Sequence, residues 1–226
     1  MENVEKFWEK TANTNPFWGV LTNEIYLKKN LNANALKQFY ESGKEETNFI
    51  INYLKNKLNI DILNLKNFNF LEIGTGTGRI AQNSIKYCNN LYCIDVSDKY
   101  LDLCSKVLPS NHTLVNYKHF YDYNFEKVKL LYTWLTLQHN PPQEIKKIVK
   151  RVCNILEKDG YAFLHIPYEK EGYEYVDKDI MQMNCIPKNE ILKIINENNC
   201  FILDIVEVDR CGGGWKNCLY IFKKLV

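Results

Sequence analysis

Long apolar runs are missing. Nowhere among the 226 residues does one approach the roughly 20 positions a bilayer-crossing helix needs, which excludes a helical membrane span. The first residues, Met1-Glu2-Asn3-Val4-Glu5-Lys6, lack the basic and apolar regions of a secretion signal, so export is not expected. An excess of one charge is missing too. Lys and Arg number 29 against 27 Asp and Glu, a net +2, which argues against a broad nucleic-acid-binding surface. The densest basic stretch, Lys146 to Arg151, carries Ile148 and Val149 at helical spacing and reads as the solvated face of a helix. None of the eight cysteines forms a C-x-x-C pair, so neither a zinc site nor a disulfide framework is expected. Most sit inside apolar patterns, as small hydrophobes in a reducing cytosol. There is no internal repeat and no low-complexity tract. The expectation is a soluble cytoplasmic protein without a metal.

What is present is hydrophobic residue at 46%, enough for a sizeable core. From about Lys66, strands and helices alternate. Phe68–Ile73, Leu91–Val96, Thr113–Tyr117, Leu130–Trp134 and Tyr161–Ile166 read as strands. Ile80, Ala81, Ser84, Ile85 and Cys88 recur at helical spacing after the first. Ser97 is placed to cap the helix after the second. A stripe from Ile145 to Leu156 marks a helix beginning near Pro142, and another helix follows Pro187. Such alternation predicts a doubly wound, mostly parallel α/β sheet. Ile202–Val208 and Leu219–Phe222 have no helix between them and must form an antiparallel hairpin. Residues 1–65 show no strand pattern and read as a helical N-terminal extension before a domain of residues 66–226. Within it, Ser42-Gly43-Lys44-Glu45 has the form of a capping box.

The segment Leu71-Glu72-Ile73-Gly74-Thr75-Gly76-Thr77-Gly78-Arg79 carries the functional signal. A buried strand feeds three alternating glycines, which permit a sharp turn and a close ligand approach. Behind them a helix N-terminus would offer unpaired N–H groups and a positive dipole end. Asp95 ends the second strand 21 positions after Gly74, close to the spacing of an acid that accepts ribose hydroxyls. Dinucleotide-binding turns read G-x-G-x-x-G. Here the third position is Arg79, and the carboxylate of Glu72 would repel a pyrophosphate.

With these residues the chain resembles the class I S-adenosylmethionine-dependent methyltransferases from about Asn67 to Val226. Cys93 to Ser97, Leu135 to His139, the Leu156-to-Gly160 turn and the closing hairpin carry the likeness further. The resemblance implies a seven-stranded sheet of order 3-2-1-4-5-7-6 with the last strand antiparallel. It implies S-adenosylmethionine as cofactor, S-adenosylhomocysteine as product, and an N-terminal cap over the substrate. Glu72, Gly74, Thr75, Gly76, Gly78, Asp95, Val96 and Trp134 would form the cofactor shell. Family members carry an aspartate for the adenine amino group after strand three. This chain has His119 in that slot, with Phe120 or Tyr121 able to stack on the purine.

Asn140-Pro141-Pro142-Gln143 lacks the aromatic fourth residue that marks base N-methylation. Asn140 reads instead as a helix cap. His139 is the candidate general base, its ordinary pKa near ~6.5 suiting proton uptake. His165, inside an apolar strand, reads as a core histidine. Tyr168 and Glu169 are candidates to face the acceptor. Trp18 and Trp215 are candidates to wall it, with ordinary packing the competing reading, as for Trp8, Phe17, Tyr173 and Tyr175. The Gly212–Gly214 run reads as a turn or as a close approach to substrate. The reading is methyl transfer to a small polar acceptor, a hydroxyl favoured. A silent cofactor-binding partner, or an amine, nucleic-acid or protein methyltransferase, is the alternative.

Overall fold

The computed structural model describes residues 1–176 and 182–226. Its strand order is β3-β2-β1-β4-β5-β7-β6, the order the resemblance implies. The described residues fall into two compact units, Glu2–Tyr123 and Asn124–Val226.

In the first unit, α1 (Glu2–Thr14) and α2 (Pro16–Val20) precede a long α3 (Ala33–Lys57). Asn32 starts α3, its side-chain oxygen accepting from the Asn34 and Ala35 amides at 3.0 Å. Ala35, Phe39, Gly43, Thr47, Ile50 and Leu54 form its buried stripe. Phe39 anchors a cluster with Phe17 and Tyr26, ring centroids 5.1 and 5.3 Å away and edge-on. The expected capping box is corrected here: α3 runs straight through Ser42–Glu45. The Ser42 hydroxyl donates back to the Phe39 carbonyl at 2.6 Å, so it is an interior residue of the helix and not its start.

β1 (Asn69–Ile73) and β2 (Leu91–Asp95) are buried throughout, as parallel strands covered on both faces are. They pair in parallel with Glu72 opposite Cys93, and β3 (His112–Asn116) follows with Asn116 opposite Asp95. Ser97 caps α5 (Asp98–Ser105), its hydroxyl accepting from the Tyr100 amide at 3.1 Å.

In the second unit, β4 (Val128–Thr133) and β5 (Leu156–Glu169) pair in parallel. β7 (Lys216–Lys224) runs antiparallel to both β5 and β6 (Cys200–Val208), the expected hairpin. α6 (Pro142–Ile155) buries Ile145, Ile148, Val149 and Val152 and leaves Lys147 exposed. α7 (Lys188–Glu197) follows Pro187.

Candidate active site

The turn after β1 is built around its glycines. Gly74, Gly76 and Gly78 have φ of 78°, 52° and 83°, the left-handed region. A Cβ on Gly76 would lie 2.7 Å from Val20 Cγ2, and one on Gly78 would lie 2.8 Å from Val107 Cγ2. The turn is therefore held between α2 and the end of α5 with no room for a side chain at Gly76 or Gly78.

Four of its amides are already engaged within the fold. Gly74 and Thr75 donate to the Ile94 carbonyl at 2.8 and 3.0 Å, and Gly78 donates to Thr75 at 2.9 Å. Gly76 donates to Asp95 Oδ2 at 2.9 Å. Nor does a full helix follow. α4 spans only Ala81–Ser84 and passes into a 3₁₀ turn, so the expected helix dipole reduces to a single turn. What the turn does leave open is a side chain. Thr77 is 1% exposed, and its Oγ1 has no hydrogen-bond partner in the structure.

Two carboxylates flank this turn. The β1–β2 register puts Glu72 beside Cys93, and Asp95 shares the face of Cys93 two residues on. Glu72 is 3% exposed and accepts from the Thr75 hydroxyl at 3.4 Å. Asp95 accepts through Oδ2 from Gly76 and through Oδ1 from the Ser97 amide at 3.0 Å. Burial pushes its carboxyl up to about 6, even though those amides favour the charged form and oppose the rise.

A third carboxylate reaches in from α1. Glu9 Oε2 accepts from the Ser97 hydroxyl at 2.6 Å and from the Lys99 amide at 3.2 Å. The N-terminal region is tied in twice more. The Tyr100 hydroxyl donates to the Pro16 carbonyl at 3.0 Å, and Arg79 pairs with Glu46 of α3 at 2.5 Å, both side chains buried.

In the second unit, β4 leads into Trp134 and Leu135, the latter at φ 55°. The Trp134 ring is buried and stacked on His165, centroids 5.7 Å apart at 18°. The Leu135 amide points at His165 Nδ1 at 3.4 Å, so that nitrogen accepts. Nε2 then carries the proton and donates to Asn217 Oδ1 at 2.7 Å. Burial draws the His165 pKa down to about 4, and the residue is the satisfied core histidine its strand pattern suggested. His139 closes the 3₁₀ turn Leu137–His139. Desolvation of its imidazole pulls the pKa down to about 4 as well, which corrects the assumption of an ordinary value. Asn140 does not cap α6. Its amide donates to the Thr136 and Leu137 carbonyls at 3.3 Å, and the cap position is Pro141, with no side-chain bond.

Residues 70–160 match the family model described as a methyltransferase domain. That match spans the glycine turn, Asp95, β4 and α6. No curated protein matches the chain in sequence. The fold is similar to magnesium protoporphyrin IX methyltransferase from Synechocystis, solved with bound S-adenosylhomocysteine. Identity is 12%, coverage is 99% of each chain, and the TM-score is 0.70. It is also similar to the N-methyltransferase NodS from Bradyrhizobium japonicum in complex with S-adenosylhomocysteine, at 12% identity, 98% of each chain and a TM-score of 0.65. A third is 1,6-didemethyltoxoflavin-N1-methyltransferase from Burkholderia thailandensis, with 1,6-didemethyltoxoflavin and S-adenosylhomocysteine bound. It matches at 12% identity over 86% of this chain and 87% of that one, with a TM-score of 0.60. These likenesses establish the class I methyltransferase fold.

Val96 is half-buried, and its carbonyl accepts from Asn116 Nδ2 at 3.4 Å. His119 is exposed at the end of the 3₁₀ turn Tyr117–His119. Phe120 cannot present a face to a purine as expected: it is fully buried, its ring 5.5 Å from Tyr117 and nearly parallel to it. Trp18 packs on the Tyr26–Ala35–Phe39 cluster, the ordinary packing alternative. Tyr168 donates to the Glu207 carboxylate at 2.9 Å, with Lys188 lying 3.8 Å over its ring. Glu169 pairs with Lys216 at 2.5 Å. Trp215 meets Tyr173 edge-on at 5.6 Å, after three glycines in the left-handed region. Sequence reasoning missed Glu9 and Thr77 as site residues. Thr77 lies inside the glycine motif, where its unfilled position was the available signal. Glu9 acts across 88 residues and leaves no local mark.

Proposed function

We propose that the chain transfers a methyl group from S-adenosylmethionine to a hydroxyl of a small polar molecule, releasing S-adenosylhomocysteine. The observation that carries the reading is a buried carboxylate, Asp95, bonded to a turn that has no room for a Cβ at Gly76 or Gly78 and that leaves the buried Thr77 hydroxyl without a partner. When bound, S-adenosylmethionine supplies an electrophilic methyl on a sulfonium, so the protein's task is alignment and exclusion of water. Asp95 keeps lone pairs beyond those used by Gly76 and Ser97, and these accept ribose hydroxyls. Glu72 meets the ammonium of the amino-acid end. Thr77 Oγ1 donates to its carboxylate. The backbone of Gly74 to Gly78, with Val96 and His119, completes the shell.

His139 takes the acceptor's proton. Desolvation holds its pKa near 4, so the imidazole is neutral at cellular pH, and the role requires its proton affinity to rise when the acceptor binds. Tyr168, Glu169 and Trp215 are the acceptor-side residues. Eight free thiols, seven of them buried, suit a cytoplasmic setting.

Calorimetry with S-adenosylhomocysteine tests the cofactor reading: the wild type binds and Asp95→Ala binds weakly or not at all. No heat from the wild type sinks it. Labelled methyl transfer to a panel of hydroxylated and amine acceptors tests the rest. His139→Ala should keep cofactor affinity and lose about 10²–10⁴-fold in turnover; unchanged turnover removes His139 from the role.

A further inference from the structure

We propose that Asn184 is a positioning residue that fixes His139 through the carbonyls of the residues on either side of it. The proposal rests on the reading of His139 as the proton acceptor. The Asn184 amide N–H donates to the Gln138 carbonyl at 2.7 Å. Its side-chain Nδ2 donates to the Asn140 carbonyl at 3.0 Å and again to Gln138 at 3.3 Å. Those carbonyls belong to the residues immediately before and after His139. Oδ1 accepts from the Tyr173 hydroxyl at 2.9 Å. Only one orientation of the Asn184 amide serves carbonyl acceptors on one side and a hydroxyl donor on the other, so the contacts fix it.

The residue is 3% exposed, and a buried amide is costly unless its bonds are all made. The turn does not need it for its own hydrogen bonds. The His139 and Asn140 amides already close the 3₁₀ turn on Thr136 and Leu137, and the Asn140 side chain braces the same carbonyls from within. What Asn184 adds is a fixed depth for the backbone at His139, from a segment 44 to 46 residues further along the chain. Tyr173 holds that clamp, and Trp215 packs on Tyr173 edge-on. A change at the acceptor-side aromatics is thereby coupled, through one hydroxyl, to the placement of the base.

The imidazoles report the result directly. The chain has four histidines, and in the wild type heteronuclear NMR of the labelled side chains should read His139 and His165 as neutral near pH 6. In Asn184→Ala, His139 gains water and its midpoint rises toward the ordinary ~6.5, so most of it is protonated near pH 6. His165 stays neutral and certifies the fold. Tyr173→Phe moves His139 in the same direction by less. A His139 that stays neutral in Asn184→Ala beside a neutral His165 overturns the proposal. If Asn184→Ala unfolds, so that His165 titrates normally, Tyr173→Phe decides: an unmoved His139 there overturns it equally. With an acceptor in hand, Asn184→Ala should lower kcat by about 10²-fold and leave the KM for S-adenosylmethionine unchanged. The NMR result needs no turnover, so it fails independently of the methyl-transfer reading.

Discussion

Acidification from about pH 7.5 to about pH 5 should weaken nucleoside binding about tenfold through Asp95 alone. Burial sets its midpoint at about 6, so the carboxylate is nearly all ionised at the higher pH and about one-tenth ionised at the lower. Only the ionised form has lone pairs left for two ribose hydroxyls after serving Gly76 and Ser97. Tenfold is about 1.4 kcal/mol. Folding does not confound the result at this group. Its folded pKa lies above the ordinary 3.8, so its contribution favours the folded state below about pH 4 and is lost as pH rises through 6. The cost at neutral pH is about 3 kcal/mol, which ligand binding offsets. The neighbours facing Asp95 are Glu9, whose charge raises the midpoint, and Tyr100. The assay is calorimetry with 5′-methylthioadenosine, which has adenine and ribose but no amino-acid end and so leaves Glu72 out. Equal affinity at both pH values, or the same slope in Asp95→Asn, would refute the reasoning. Glu9→Gln should move the midpoint down.

Gly76→Ala should lower stability by about 2–4 kcal/mol, since φ of 52° strains any L-residue and the new methyl meets Val20; a melting temperature equal to wild type would contradict this. Glu46→Gln strands the buried Arg79 guanidinium and should cost about 3–5 kcal/mol by urea denaturation, whereas Glu46→Gln with Arg79→Met should cost much less. Equal losses in the two would show that the pair is not what is being read. His165→Phe leaves the Leu135 amide and Asn217 without their partner, for about 1–3 kcal/mol at neutral pH. The depressed pKa means the contribution of His165 is present above about 6.5 and lost as pH falls through 4, so the gap to the variant should narrow on acidification. A gap that widens would reverse the assigned sign.

Much of the fold was legible because its signals are local. Buried strands β1 and β2 read as continuous apolar runs, α6 as a stripe, and the β6–β7 hairpin as two strands with no helix between. Spacing singled out Asp95 and the glycines, which the structure joins through the Gly76 amide. The misreadings share a cause in partners distant along the chain. Ser42 looks like a cap until Arg79, 37 residues on, is seen donating to its hydroxyl. Three amides of the glycine turn, those of Gly74, Thr75 and Gly76, look free until Ile94 and Asp95 fold against them. Phe120 and His139 were given exposed properties that burial removes. Asn184 and Glu9 carry no motif at all, since each is defined only by what it reaches.

Helix α3 presses so closely on the stretch after the glycine turn that a Cβ on Gly43 would fall 2.0 Å from the Arg79 carbonyl oxygen. This sets terms for anyone who would swap the leading helices for those of another enzyme to change what is methylated. A transplanted segment ending at Leu58 must bring a residue without a side chain at 43, an acid at 46 and an acid at 9. Otherwise it would dislodge the turn it was meant to leave alone, and a change of acceptor would arrive together with a loss of grip on the nucleoside.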